Sequence, residues 1–76
     1  MTKLPVVKPK KLLAALLRYG FYIHHQKGSH VQLRHKIKKH LRVTVPSHAS
    51  FDLPIGVTLS ILAQAEMTKE ELFKAL

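Results

Sequence analysis

The sequence predicts an α+β fold, a two-layer sandwich in which helices cover one face of a three-stranded antiparallel sheet, in the order α-β-β-β-α with a short final helix. Three patterns predict it. Leucines recur at helical spacing between Pro9 and Gly20. Two later stretches, 29–35 and 40–45, alternate apolar and polar residues. Helical spacing then returns beyond Pro54.

Met1 to Val7 reads as an extended arm, because Pro5 and Pro9 disfavour helix in the residues before them. Pro9 suits a first helical turn, and Leu12, Leu13, Leu16 and Leu17 form one apolar face. With Gly20 as the residue after the cap, the first helix is predicted over 9–19. Phe21 to His25 is short, aromatic and β-branched, and Gln26-Lys27-Gly28 follows as a turn. In the second strand Val31 and Leu33 face one way and His30, Gln32 and Arg34 the other. The basic stretch 37–39 connects it to a third strand, 40–45, with Leu41, Val43 and Val45 inward and Arg42 and Thr44 outward. Pro46 ends that strand, and a polar loop containing His48 leads to a second helix. Val57, Ile61, Leu62 and Ala65 share its buried face. Thr68 and Glu71 have the spacing of a capping box, which predicts a last helix presenting Leu72, Phe73 and Leu76. Glu70 and Lys74 stand four residues apart on it, the spacing of a helical ion pair.

Seventy-six residues with 46% apolar content predict one small domain rather than a disordered polycation. The charge is uneven. Residues 1–50 hold eleven Lys or Arg and no acid, while Asp52, Glu66, Glu70 and Glu71 all fall in the last 26 residues beside Lys69 and Lys74. The net +9 is therefore about +11 in the first part and −2 in the second, and such a surface attracts phosphate. The absence of cysteine removes disulfides, thiolate zinc sites and cysteine nucleophiles. No apolar run approaches the ~18 residues of a membrane span, and residues 1–11 carry charges and prolines where a signal peptide would be apolar. The expectation is a soluble, cytoplasmic protein that needs no cofactor and meets no membrane.

Six histidines lie between residues 24 and 48. Adjacent His24 and His25 point to opposite faces of an ideal strand and cannot chelate one metal. His35 has the parity of Val31 and Leu33, which puts it on the inner face or at a fraying end. His40 begins a strand and is exposed. His30 stands apart, on the open face just after a glycine turn, with Gln32, Arg34, Arg42 and Thr44 sharing that face. A histidine on a rigid strand among cations is well placed as a general acid or base. Without helical His-x-x-x-His or clustered carboxylates, no metal site is predicted.

At Gly28-Ser29-His30 and Val45-Pro46-Ser47-His48 the chain resembles the HicA family of bacterial and archaeal mRNA interferase toxins. The likeness extends to Leu4-Pro5-Val6-Val7, the helix running into Gly20-Phe21, the Gln26-Lys27-Gly28 turn, Leu53 to Leu62 with Gly56 and Thr58-Leu59, and Met67 to Leu76. The resemblance implies a double-stranded-RNA-binding-domain-like fold, endoribonuclease activity on mRNA, a catalytic role for His30 and a HicB-type antitoxin partner. Two departures concern local geometry. Lys8 stands where a polar helix cap is usual, and the loop 36–39 lacks the usual glycine.

The residues permit a metal-independent reaction in which the RNA 2′-hydroxyl attacks the adjacent phosphate. His30 would take or give the proton, Lys27, Arg34 and Arg42 would steady phosphate oxygens, and Gln32 would add a polar RNA contact. His48 is the second candidate for catalysis, with capping of its own loop as the alternative role. The competing reading is a non-catalytic RNA-binding module with the same basic sheet face.

Overall fold

The computed structural model describes residues 6–47 and 51–76. They form α1 (Pro9–Arg18), β1 (Phe21–Lys27), β2 (His30–His35), β3 (Arg42–Pro46), α2 (Ile55–Ala65) and α3 (Lys69–Ala75). The strands make one antiparallel sheet in the order β1-β2-β3, as the alternation predicts. The helices lie on one side of it: Val31, Leu33, Val43 and Val45 are buried, while the residues between them face away from the helical layer.

The core joins that inner sheet face to Leu12, Ala15 and Leu16 of α1, Ile61, Leu62 and Ala65 of α2, and Leu72 and Ala75 of α3. Helix α1 starts without a side-chain cap. Pro9 at its first position has no N–H to satisfy, and the Lys8 carbonyl accepts from Lys11 and Leu12 N–H, so the missing polar cap leaves little unpaired. Helix α3 has the full capping box: Thr68 Oγ1 accepts from Glu71 N–H at 3.1 Å and Glu71 Oε1 from Thr68 N–H at 2.8 Å.

Several boundaries and faces differ from the expectation. Strand β1 runs on to Lys27, because Gln26 and Lys27 pair with Val31 and His30, and the turn shrinks to Gly28-Ser29. In a two-residue hairpin the turn type follows the signs of φ. Gly28 has φ 57° and Ser29 is not in the positive region, the pattern of a type II′ turn with glycine first. Strand β3 begins at Arg42, not His40, since residues 36–41 are drawn into turns closed by Lys39 N–H to Ile37 O and Leu41 N–H to Lys38 O. No residue in that connection has positive φ, which is why it dispenses with glycine.

In α2 the buried residues are Thr58, Ile61, Leu62 and Ala65, with Val57 only half-buried, a shift of one position around the helix. In α3 the buried pair is Leu72 and Ala75, whereas Phe73 and Leu76 remain exposed. Leu72 and Ala75 are three apart, so they share the face toward α1, and Phe73 and Leu76 fall on the flank. Glu70 and Lys74 do not close an ion pair. Among the described residues the one salt bridge is His40 Nε2 to Glu66 Oε2, 3.3 Å, at the surface.

Candidate nucleic-acid interface and active site

The sheet register sorts the open face into three rows that cross all strands. The first is Lys27, His30 and Pro46, the second His25, Gln32 and Thr44, the third Tyr22, Arg34 and Arg42. Residues directly opposite one another share a face, with side chains about 5 Å apart at Cβ. His30 therefore stands beside Lys27 on one strand and in line with Gln32 and Arg34 on its own. It is exposed and has no side-chain hydrogen bond among the described residues.

Its position is fixed by backbone. The hairpin turn Gly28-Ser29 precedes it, and Ser47 N–H donates to Ser29 O, tying the end of β3 to the turn. His30 thus projects from a paired strand whose next residue, Val31, is locked in the core. Rigid support of this kind is what a group that transfers a proton to a bound substrate needs.

The second row depends on an irregularity. Ile23 lies opposite Leu33, but His25 lies opposite Gln32, so His24 is an extra residue in β1. This bulge changes the parity of the strand. Without it, a strand with Phe21 and Ile23 inward would turn His25 and Lys27 inward too. With it, both share the face of His30. The ideal strand in which adjacent His24 and His25 point to opposite faces is interrupted here by the bulge. The signal available in the sequence is the parity conflict of a cationic Lys27 in register with Phe21 and Ile23. Reading Lys27 as part of a turn hides it.

The third row sets Arg34 against Arg42 beside Tyr22. Like charges directly opposite are unfavourable by themselves, and no carboxylate among the described residues approaches them. A cleft of about 170 Å³ is lined by Tyr22, Arg34, His35, Lys36 and Lys39, and one of about 230 Å³ runs from Gln32 to Thr44 past Arg34 and Arg42. An anion would relieve the crowding, and an exposed tyrosine face suits a stacked base. Another concavity, about 430 Å³, lies between α1 and α3 beside Lys10, Lys11 and Arg18, away from this face.

Of the residues predicted from sequence, the structure brings Lys27, His30, Gln32, Arg34 and Arg42 together on one open face. His25 and Tyr22 are neighbours that sequence reasoning misses. His48 lies outside the described residues. His35 plays a different part: its Nε2 meets the Tyr19 carbonyl at 2.7 Å and its Nδ1 accepts from the N–H of Ile37 (3.1 Å) and Lys38 (3.0 Å). Two donors aimed at Nδ1 place the ring proton on Nε2, pointing at Tyr19. The ring also packs edge-on against Phe21, centroids 4.8 Å apart. His35 is a staple between the end of α1 and the β2–β3 connection.

A family model described as the HicA toxin of bacterial toxin–antitoxin systems matches residues 9–67. The chain belongs to the HicA toxin family. It is thus the toxin member of a toxin–antitoxin pair. The match spans α1, the whole sheet, α2 and the Met67 that follows it, so this HicA chain carries its open face entirely within the family region. No curated protein matches the chain. No described helix of this HicA chain is long and apolar enough to cross a membrane.

Proposed function

We propose that this HicA toxin is an mRNA interferase that cuts single-stranded mRNA through attack of the 2′-hydroxyl on the adjacent phosphate, with His30 as a proton-transfer group. The observation that supports it best is the composition of one face. An exposed histidine on a braced strand stands beside Lys27 and in line with Gln32 and Arg34, Arg34 in turn lies opposite Arg42, and no carboxylate is among them.

Lys27 is the cation nearest His30 and suits the phosphate being cleaved; Arg34 and Arg42, one strand-length away, suit phosphates further along. The steps ask for an acid, a base and charge stabilisation, all of which side chains can supply. A single strand reaches in-line geometry easily, which favours it over a duplex. A HicB-type antitoxin would silence the toxin by covering the same cationic face with acidic residues, since one surface then serves both substrate and inhibitor.

The 2′-hydroxyl offers a direct test. An RNA and its DNA copy of identical sequence should both bind through their phosphates, and only the RNA should be cut. Cleavage of the DNA copy would contradict 2′-hydroxyl attack. Binding of both without any cleavage would favour the non-catalytic module.

A further inference from the structure

Transfer of a phosphoryl group from a 5′-oxygen to a 2′-oxygen needs two proton movements, and His30 accounts for one of them. We infer that His25 performs the other, so that His25 and His30 form an acid–base pair across β1 and β2. The inference rests on the nuclease reading above and names a group that it leaves unassigned.

Register carries the argument. His25 lies opposite Gln32, and His30 lies two residues from Gln32 on β2 and opposite Lys27, so the two histidines are diagonal neighbours. Diagonal positions on one face lie about 7–8 Å apart, within reach of long and aromatic side chains. With a hydrogen bond of about 3 Å from each imidazole, that gap holds one phosphodiester. The His24 bulge is what brings His25 to this face, and bulges are the local device that re-aims a side chain without moving a strand. His25 is exposed and its side chain makes no hydrogen bond among the described residues, so nothing in the described fold employs it. The other histidines are differently placed. His35 is engaged with Tyr19, Ile37 and Lys38, and His40 faces Glu66 before β3.

The step balances without a metal or an oxidant. The 2′-oxygen forms a bond to phosphorus as the bond from phosphorus to the 5′-oxygen breaks. One imidazole takes the 2′-hydroxyl proton, and the other, protonated, gives its proton to the departing 5′-oxygen. The products are a 2′,3′-cyclic phosphate and a 5′-hydroxyl. Each histidine ends in the protonation state the other began with, and exchange with water resets the pair.

The test uses the full chain with His24→Ala, His25→Ala, His25→Gln and His30→Ala, on two RNAs that differ only in the scissile linkage. One has the natural 5′-oxygen, the other a 5′-sulfur that departs without a proton. On the natural linkage His25→Ala and His25→Gln should cleave about 10²–10⁴-fold more slowly, with unchanged thermal melting and with His24→Ala close to wild type. The wild-type pH–rate profile should be bell-shaped and lose one limb in the His25 variants. On the sulfur linkage one of the two histidine positions, the general acid, should recover most of its lost rate and the other should not. His25 variants within threefold of wild type with an intact bell would overturn the pair while leaving His30 in place. Loss of rate in His24→Ala with His25→Ala unaffected would also overturn it. A wild-type protein that cuts neither RNA would instead remove the nuclease reading on which the pair rests.

Discussion

His35 and His30 sit five residues apart on one strand and do opposite things. His35 has both ring nitrogens occupied by backbone, and its edge rests on Phe21. Gly20 must be glycine for the same reason, since with φ 94° an added Cβ would come within 2.8 Å of His35 Nε2. Replacing His35 by alanine removes three partly exposed hydrogen bonds and a ring contact. At about 0.5–1 kcal/mol each, this should lower unfolding free energy by about 2 kcal/mol in urea titration. A change below about 0.5 kcal/mol would mean that water replaces the staple. Thr58 shows the reverse situation. It is fully buried in α2 and its Oγ1 has no hydrogen-bond partner among the described residues. Thr58→Val keeps the shape and removes an unsatisfied hydroxyl, so it should gain about 1 kcal/mol. Calorimetry should then show a higher Tm, by about 4–8 °C for a domain of this size. A lower Tm would reveal a partner for the hydroxyl.

At the scale of elements, periodicity makes most of the fold legible. Leu12 and Leu16 of α1, the alternation of β2 and β3, and the Thr68–Glu71 box are found at the expected place, whereas Leu13 is only half-buried and Leu17 exposed, with Ala15 completing the buried face of α1. What stays hidden depends on pairing. The His24 bulge exists only because β1 is held against β2, and no residue type in Phe21 to Lys27 marks the extra position. Ideal parity therefore cannot say which face His25 takes, while His30, on a strand with clean alternation, falls on the open face as expected. The start of β3 is not legible either, because His35 takes two N–H groups of the connection that would otherwise extend the ladder. The β3 edge is also partly closed, by Gln64 accepting from Thr44 N–H at 3.2 Å, which limits pairing with a foreign strand. The hairpin that presents His30 depends on Gly28. Nothing lies within 4 Å of a Cβ built there, so Gly28→Ala meets only the cost of a left-handed backbone. That is about 1–2 kcal/mol, measurable by denaturant titration. A loss beyond about 3 kcal/mol would show that the turn makes contacts of its own.

For the whole molecule, the helical layer mixes both signs of charge, its acids standing with Lys10, Lys11, Arg18, Lys69 and Lys74, and the open sheet face carries cations and, among the described residues, no acid. Among the described residues the acids belong to the segment before α2, the end of α2 and the first turn of α3, while the open sheet face holds Lys27, Arg34 and Arg42. Binding to single-stranded RNA should therefore be governed by counterion release. For about four phosphate contacts, the slope of log K against log salt should be near −2.8. Removing Arg34 or Arg42 should make that slope shallower by about 0.7 for each phosphate that is no longer neutralised. Lys10→Ala, on the helical layer, should leave it unchanged. Equal effects from both faces would point to diffuse attraction rather than a defined track.

The proposed chemistry of this face runs through His30. The most direct measurement is incubation of wild-type and His30→Ala protein with mRNA in EDTA, followed by sizing of the fragments. Wild type should cleave despite the chelator. The variant should cleave about 10²–10⁴-fold more slowly. Its melting temperature and most of its RNA affinity should be retained, since His30 is exposed and makes no side-chain hydrogen bond that holds the described fold. Undiminished cutting by His30→Ala, or cutting by wild type only when a divalent metal is restored, would contradict that chemistry.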